Sequence, residues 1–166
     1  MCLASTSPAR AAWLRQAGIE PETRAPDVDE EAVIAAVEAA ERRTLPPDEH
    51  VLLLARRKAA DVAAGLMRDD PAFDGLVIGG DSMFAIDGAI LGKPYTPEVA
   101  TERWRAMRGR TGVLHSGHSV IRVDPTRGAI EAHAVAEASV SFVADIGDDE
   151  IEAYVATGEP LLVAGA

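Results

Sequence analysis

The dipeptide Asp87-Gly88 constrains this chain more than any other pair of residues. It stands between the apolar runs Met83-Phe84-Ala85-Ile86 and Ala89-Ile90-Leu91. Asp-Gly suits the type I′ turn, whose backbone twist matches that of a β-hairpin. An antiparallel strand pair is therefore expected at this point, closed by Gly92-Lys93-Pro94. Just upstream, Leu76-Val77-Ile78 reads as a short buried strand that stops at Gly79-Gly80-Asp81-Ser82. Downstream, Val113 to Val123 and Ile130 to Val143 read as two longer strands around the turn Asp124-Pro125-Thr126-Arg127-Gly128.

Helical signals alternate with these strands. After the short apolar start, Ser5-Thr6-Ser7-Pro8 reads as a strand end running into a helix, since Ser is a preferred N-cap and Pro is tolerated in the first turn. Ala11, Ala12, Leu14 and Ala17 continue it, and Gly18 is placed to end it. The acidic cluster Asp27-Val28-Asp29-Glu30-Glu31 precedes Val33, Ile34 and Val37, which fits acids in a first helical turn. Asp48 to about Ala64 reads as a long amphipathic helix stopped by Gly65. Within it, Arg56, Arg57 and Lys58 must point in different directions. Glu98 to Met107 and Asp148 to Ala156 complete the set. The expectation is a mixed α/β fold, a twisted central sheet flanked by helices, formed by one domain over residues 1–166.

Composition narrows the class. Of 166 residues only seven are aromatic (three Phe, two Trp, two Tyr), so Ala, Val, Leu and Ile must build the core. Trp13 and Trp104 fall on helices and are expected to pack there. Lys and Arg number 16 against 27 Asp and Glu, a net charge of −11, which argues against a nucleic-acid polymer or an anionic membrane as partner. A few cations gathered in one place can still hold a small anion. The single cysteine, Cys2, has no disulfide partner and reads as a small buried residue. With no signal peptide and no long apolar span, the reading is a soluble, cytoplasmic protein.

Three segments could carry chemistry. Gly79-Gly80-Asp81-Ser82 places a carboxylate where glycines let a ligand approach the backbone, although strand–Gly–Asp turns are also common without function. Lys93 follows Gly92 where an ammonium could meet a phosphate, or simply be solvated. Ser5, Ser7 and Arg10 surround a helix start suited to an anion, or to nothing more than an ordinary Ser/Pro start. His115 and His118 are three residues apart on a strand, which sends them to opposite faces and opposes a shared metal site. No P-loop and no Gly-x-Gly-x-x-Gly motif is present.

Taken in order, these segments resemble the Maf family of nucleoside triphosphate pyrophosphatases. The matching pieces are Leu3-Ala4-Ser5-Thr6-Ser7-Pro8-Ala9-Arg10, Val28-Asp29-Glu30, Leu54-Ala55-Arg56-Arg57-Lys58-Ala59 and Gly80-Asp81-Ser82. They continue with Asp87-Gly88, Leu91-Gly92-Lys93-Pro94, Ser116-Gly117-His118, Glu150-Ile151-Glu152-Ala153-Tyr154, Thr157-Gly158-Glu159-Pro160 and Ala164-Gly165. The resemblance spans nearly the whole chain.

It implies two lobes with a cleft, and hydrolysis of a nucleoside triphosphate between its α and β phosphates, with Mg²⁺ or Mn²⁺ as cofactor. Asp81 matches the family's essential aspartate, which orients water and touches the metal, and Glu30 would be the second metal carboxylate. Lys58, Lys93 and Arg10 match the phosphate-binding cations, with Ser5 and Ser7 as further donors. Ala9 stands where relatives often carry Arg or Trp, and Ser82 where they often carry Thr. Both positions are associated with base choice. A homodimer is also implied. Relatives continue past Ala164-Gly165 into a further strand, a base-contacting segment and a closing helix. The chain is therefore expected to be C-terminally incomplete, with phosphate and metal contacts retained and base selection weakened. One rival is a nucleotide-binding regulator of septum formation in cell division that has lost turnover. Another is a structural dimerisation domain, for which a set of cations has no use.

Overall fold

A computed structural model describes residues 1–166. Its elements follow in the order β1 (Cys2–Ala4), α1 (Pro8–Gln16), β2 (Glu22–Arg24), α2 (Glu30–Glu41), α3 (Pro47–Asp69) and β3 (Gly75–Ile86). Then come β4 (Ala89–Leu91), α4 (Pro97–Met107), β5 (Thr111–Asp124), β6 (Gly128–Ser141), α5 (Asp148–Ala156) and a 3-10 turn at Glu159–Leu162. One six-stranded sheet runs β2-β1-β3-β5-β6, with β4 attached to β3. β1 lies parallel to both β2 and β3, while β3 and β4 are antiparallel, with Phe84 opposite Leu91 and Ile86 opposite Ala89. The sheet is thus mixed, as the sequence suggests. The hairpin forms as expected, with Asp87 at φ 50° and Gly88 at φ 78°, the pair of positive angles a type I′ turn requires.

The chain forms two compact units. The first comprises Met1–Asp81 with Ser116–Val135, the second Ser82–His115 with Ala136–Ala166.

In the first unit, α3 packs on the sheet through small side chains. Cys2, Ala4, Ala59, Val62, Ala63, Val77, Ile121 and Val123 form its core, with Leu66 and Phe73 against them. Two glycines let the helix backbone settle on the strands. A Cβ at Gly79 would lie 2.2 Å from the Ala55 carbonyl oxygen, and one at Gly117 would lie 2.3 Å from that of Val51. Close approach replaces bulk, which is how a core with one aromatic ring fills its volume.

The second unit is built differently. Phe84, Ile86 and Met107 are buried with Trp104, Leu114 and Phe142 packed against them. Trp104 makes edge-on contacts to Phe142 and Tyr154, with ring centres 5.2 and 5.3 Å apart. Ala100, Ile151 and Val155 form a further cluster where α4 meets α5.

Four sequence expectations need correction. The strand does not stop at Gly79-Gly80, because β3 is continuous from Gly75 to Ile86 and the glycines serve packing rather than a turn. Nor does α3 stop at Gly65; it continues to Asp69, and a Cβ at that glycine would make only ordinary contact with the Arg24 guanidinium, at 3.6 Å. Arg24 meets Asp69 at 2.5 Å. The last long strand closes earlier, at Ser141 rather than Val143. Trp13 is not a packing residue: it is 63% exposed, because α1 buries only Ala11 and Trp13 lies roughly 200° further around the helix.

Candidate functional site

In the first unit, three charged side chains from three elements converge. Lys58, on the sheet-facing side of α3, places its Nζ 2.7 Å from Asp81 Oδ1 on β3 and 2.8 Å from Glu30 Oε1 at the start of α2. Helical geometry sends Arg56 elsewhere, to a two-pronged pair with Glu131 at 2.8 Å on each oxygen. The Lys58 and Asp81 side chains are 10% and 14% exposed, whereas Glu30 is 49% exposed. Burial pushes the Asp81 carboxyl above the ordinary carboxylate range, and the Lys58 ammonium pulls it back only in part.

Glu30 reaches Lys58 because of how α2 begins. Asp29 caps the helix, its carboxylate accepting from the Ala32 N–H at 3.0 Å, which sets Glu30 in the first turn. Within the acidic cluster, then, Asp29 initiates the helix and Glu30 turns to the lysine.

Arg10 adds a second cation beside this group. Its Nη1 donates to Ser5 Oγ at 3.2 Å, and the Ser7 N–H donates to the same oxygen at 3.1 Å. Ser5 is buried at 6% exposure, with its own hydroxyl proton left for a further acceptor. The Arg10 side chain lies over Gly80, where a Cβ would stand 3.2 Å from its Nε. Burial lowers the guanidinium pKa, while Asp81 and Glu30 raise it. Ser7 is the N-cap residue of α1, yet its side chain makes no capping bond, and Pro8 at the next position has no N–H to offer.

The expected residues Ser5, Ser7, Arg10, Glu30, Lys58 and Asp81 thus all belong to the first unit. Ala9 is exposed in the first turn of α1. Lys93 and Ser82 belong to the second unit; Lys93 is exposed in the segment after β4, and Ser82 follows Asp81 along β3.

His118 was not selected from the sequence as a site residue. Side chains alternate along β5, so with Gly117 turned to α3, His118 faces the other side of the sheet, the side on which Arg10 overlies Gly80. Burial, and then the Arg10 charge, hold its imidazole below the usual histidine value. His115 lies in the second unit, with Nδ1 3.1 Å from Glu137 Oε1. The signal that could have singled out His118 is its place in Ser116-Gly117-His118, one of the segments that resemble the Maf family. Cys2 is buried in the first core, as expected, and burial raises its thiol pKa, which disfavours the nucleophilic thiolate.

The donor set fits a hard divalent cation. Glu30 and Asp81 both reach one cationic atom within 2.8 Å, so the two carboxylates already hold a positive charge between them. Mg²⁺ characteristically takes one or two carboxylates and completes its shell with water and phosphate oxygens. No group of three or more His, Cys, Asp or Glu side chains is placed to hold a metal, so an all-protein cage is not offered.

Against this geometry, the family model described as Maf-like protein matches residues 1–166. The chain belongs to the Maf family. Among its curated relatives, a protein named nucleoside triphosphate pyrophosphatase from Leifsonia xyli is 60% identical over 99% of this chain and 74% of its own length. Proteins of the same name from Rhodococcus opacus and Streptomyces coelicolor are 51% and 48% identical, covering 99% and 100% of this chain and 74% and 72% of theirs. The chain therefore spans about three quarters of these relatives. A solved structure of a nucleoside-triphosphatase (dITP/XTP pyrophosphatase) from Mycobacterium abscessus aligns over 96% of this chain and 95% of its own. Its identity is 15% and its TM-score 0.38, values that carry no weight for fold or function.

Proposed function

We propose that this protein is a divalent-metal-dependent nucleoside triphosphate pyrophosphatase that hydrolyses the bond between the α and β phosphates, giving a nucleoside monophosphate and pyrophosphate. The observation that carries the reading is the convergence of Lys58, Glu30 and Asp81 within 2.8 Å, beside Arg10 and Ser5. A polyphosphate needs cations along its oxygens and a carboxylate that can orient water toward phosphorus. In this reading Asp81 orients the attacking water and accepts its proton. Glu30 and Asp81 hold Mg²⁺ or Mn²⁺, which when bound neutralises phosphate charge. Lys58 and Arg10 bind phosphate oxygens, with Ser5 and Ser7 donating to the same groups. Lys93 is the third phosphate cation, and Ala9 and Ser82 lie near the base.

The names of the relatives support the reaction. The family resemblance supports the homodimer, the cytoplasmic setting and a role in clearing unwanted nucleotides. We also take base selection to be weak, since the Ala9 side chain has no hydrogen-bonding group with which to read a base edge. A panel of ordinary and modified nucleoside triphosphates, assayed for pyrophosphate with and without Mn²⁺, tests all of this. Release that depends on metal and varies little with the base is expected. Absence of pyrophosphate from every triphosphate would overturn the reading.

A further inference from the structure

Lys58 holds the position between two carboxylates that a divalent ion would otherwise take. Its Nζ is within 2.8 Å of both Glu30 Oε1 and Asp81 Oδ1, and its side chain is buried. With Arg10 alongside, the group carries two positive and two negative charges, so it is already neutral. A free metal ion entering between the same oxygens would meet the ammonium at close range in a partly dehydrated setting, where repulsion between like charges is strong. A triphosphate changes that balance. Its oxygens are better acceptors for the lysine than carboxylates that a metal can take over, and the lysine stem has four rotatable bonds with which to move.

From this geometry we infer that the site takes up its divalent cation only together with a polyphosphate, Lys58 leaving the Glu30–Asp81 pair for phosphate oxygens as the metal replaces it. The inference rests on the proposed function and deepens it: the ligand is the metal–polyphosphate complex, never the bare ion. Lys58 is then an exchange residue that couples two binding events. Such coupling is reciprocal, so polyphosphate binding must depend on metal by the same factor.

Mn²⁺ binding, read from water-proton relaxation enhancement, tests this without any turnover. Wild-type protein with Mn²⁺ alone is expected to show little enhancement, and a strong rise on adding an α,β-methylene nucleoside triphosphate that cannot be cleaved between those phosphates. Equal enhancement with and without the analogue would overturn the inference. Lys58→Met is expected to bind Mn²⁺ alone at least tenfold more tightly than wild type, and its melting temperature should rise more with Mn²⁺. Lys58→Arg, which keeps the charge, should bind as weakly as wild type. Equal affinity of Lys58→Met and wild type would also overturn the inference, as would tight binding by Lys58→Arg. Should Lys58→Met fail to fold, the wild-type comparison decides alone. Pyrophosphate release by a protein that binds bare Mn²⁺ tightly would sink the exchange while leaving the enzymatic reading intact.

Discussion

Asp81 is subject to two opposed influences: burial favours its neutral form and the Lys58 ammonium favours its charge, with burial the larger. A carboxyl whose folded pKa lies above its unfolded value contributes most to stability at acid pH, and that contribution is lost as pH rises through the folded value. At neutral pH the ionised Asp81 therefore burdens the free protein. Asp81→Asn is expected to melt at or slightly above the wild-type temperature while hydrolysis falls by roughly 10²-fold or more, the range for removing a general base. Calorimetric melts and pyrophosphate assays on the two proteins check both halves. A variant that loses several degrees as well as activity would show that Asp81 is mainly structural. Glu30, Lys58, Asp81, Arg10 and Ser5 were singled out together because each lies in a segment that resembles the Maf family, and the structure brings them close to one another. His118 also lies in such a segment, but its nearness to Arg10 was not legible, since the two are more than a hundred residues apart in the chain. Only the packing of α3 on Gly117 fixes which way that histidine faces.

At the level of elements, α3 must lie close to β3 and β5 for Lys58 to reach Asp81. Gly79→Ala would drive a methyl group into the Ala55 carbonyl, 2.2 Å away, and is expected to destabilise by about 1–3 kcal/mol or prevent folding. Gly92→Ala meets nothing within 4 Å and should stay within about 0.5 kcal/mol of wild type, and urea titration of both variants checks the contrast. A second tie joins α3 to β6. Glu131 accepts from both prongs of Arg56 and from Ser119 Oγ at 2.9 Å, and its pKa is held down at about 2, chiefly by Arg56. A depressed carboxyl stabilises above its ordinary pKa, and that stability is lost as pH falls toward 2. The pair is partly exposed, so Glu131→Gln should lose only about 1 kcal/mol at pH 7, with the gap to wild type closing through the acid range. Element types were largely legible, through the acidic cluster ahead of α2, the Asp87-Gly88 turn and helical spacing. The continuity of β3 and the length of α3 were not, because glycine marks a turn and a close contact alike, and only the partner element tells them apart.

For the whole molecule, charge decides which phosphate ligands are admitted. A net charge of −11 disfavours a polynucleotide, and on the proposed function a metal-neutralised nucleotide suits a group in which Lys58 and Arg10 already balance Glu30 and Asp81. Chelation by EDTA should therefore abolish pyrophosphate release, and Mn²⁺ added in excess should restore it. The expectation that Ala, Val, Leu and Ile build the core holds for the first unit and not for the second. Helix-to-strand contact over glycines fills one, and the Phe84, Trp104, Phe142 and Tyr154 rings fill much of the other. The central claim is that the Lys58-centred group acts on a polyphosphate between its first two phosphorus atoms. Hydrolysis in ¹⁸O-labelled water with Mn²⁺, followed by mass spectrometry of the products, tests it most directly. The account predicts nucleoside monophosphate and pyrophosphate in equal amounts, both formed at least roughly 10²-fold more slowly by Asp81→Asn; nucleoside diphosphate with orthophosphate, or undiminished turnover by Asp81→Asn, would contradict it.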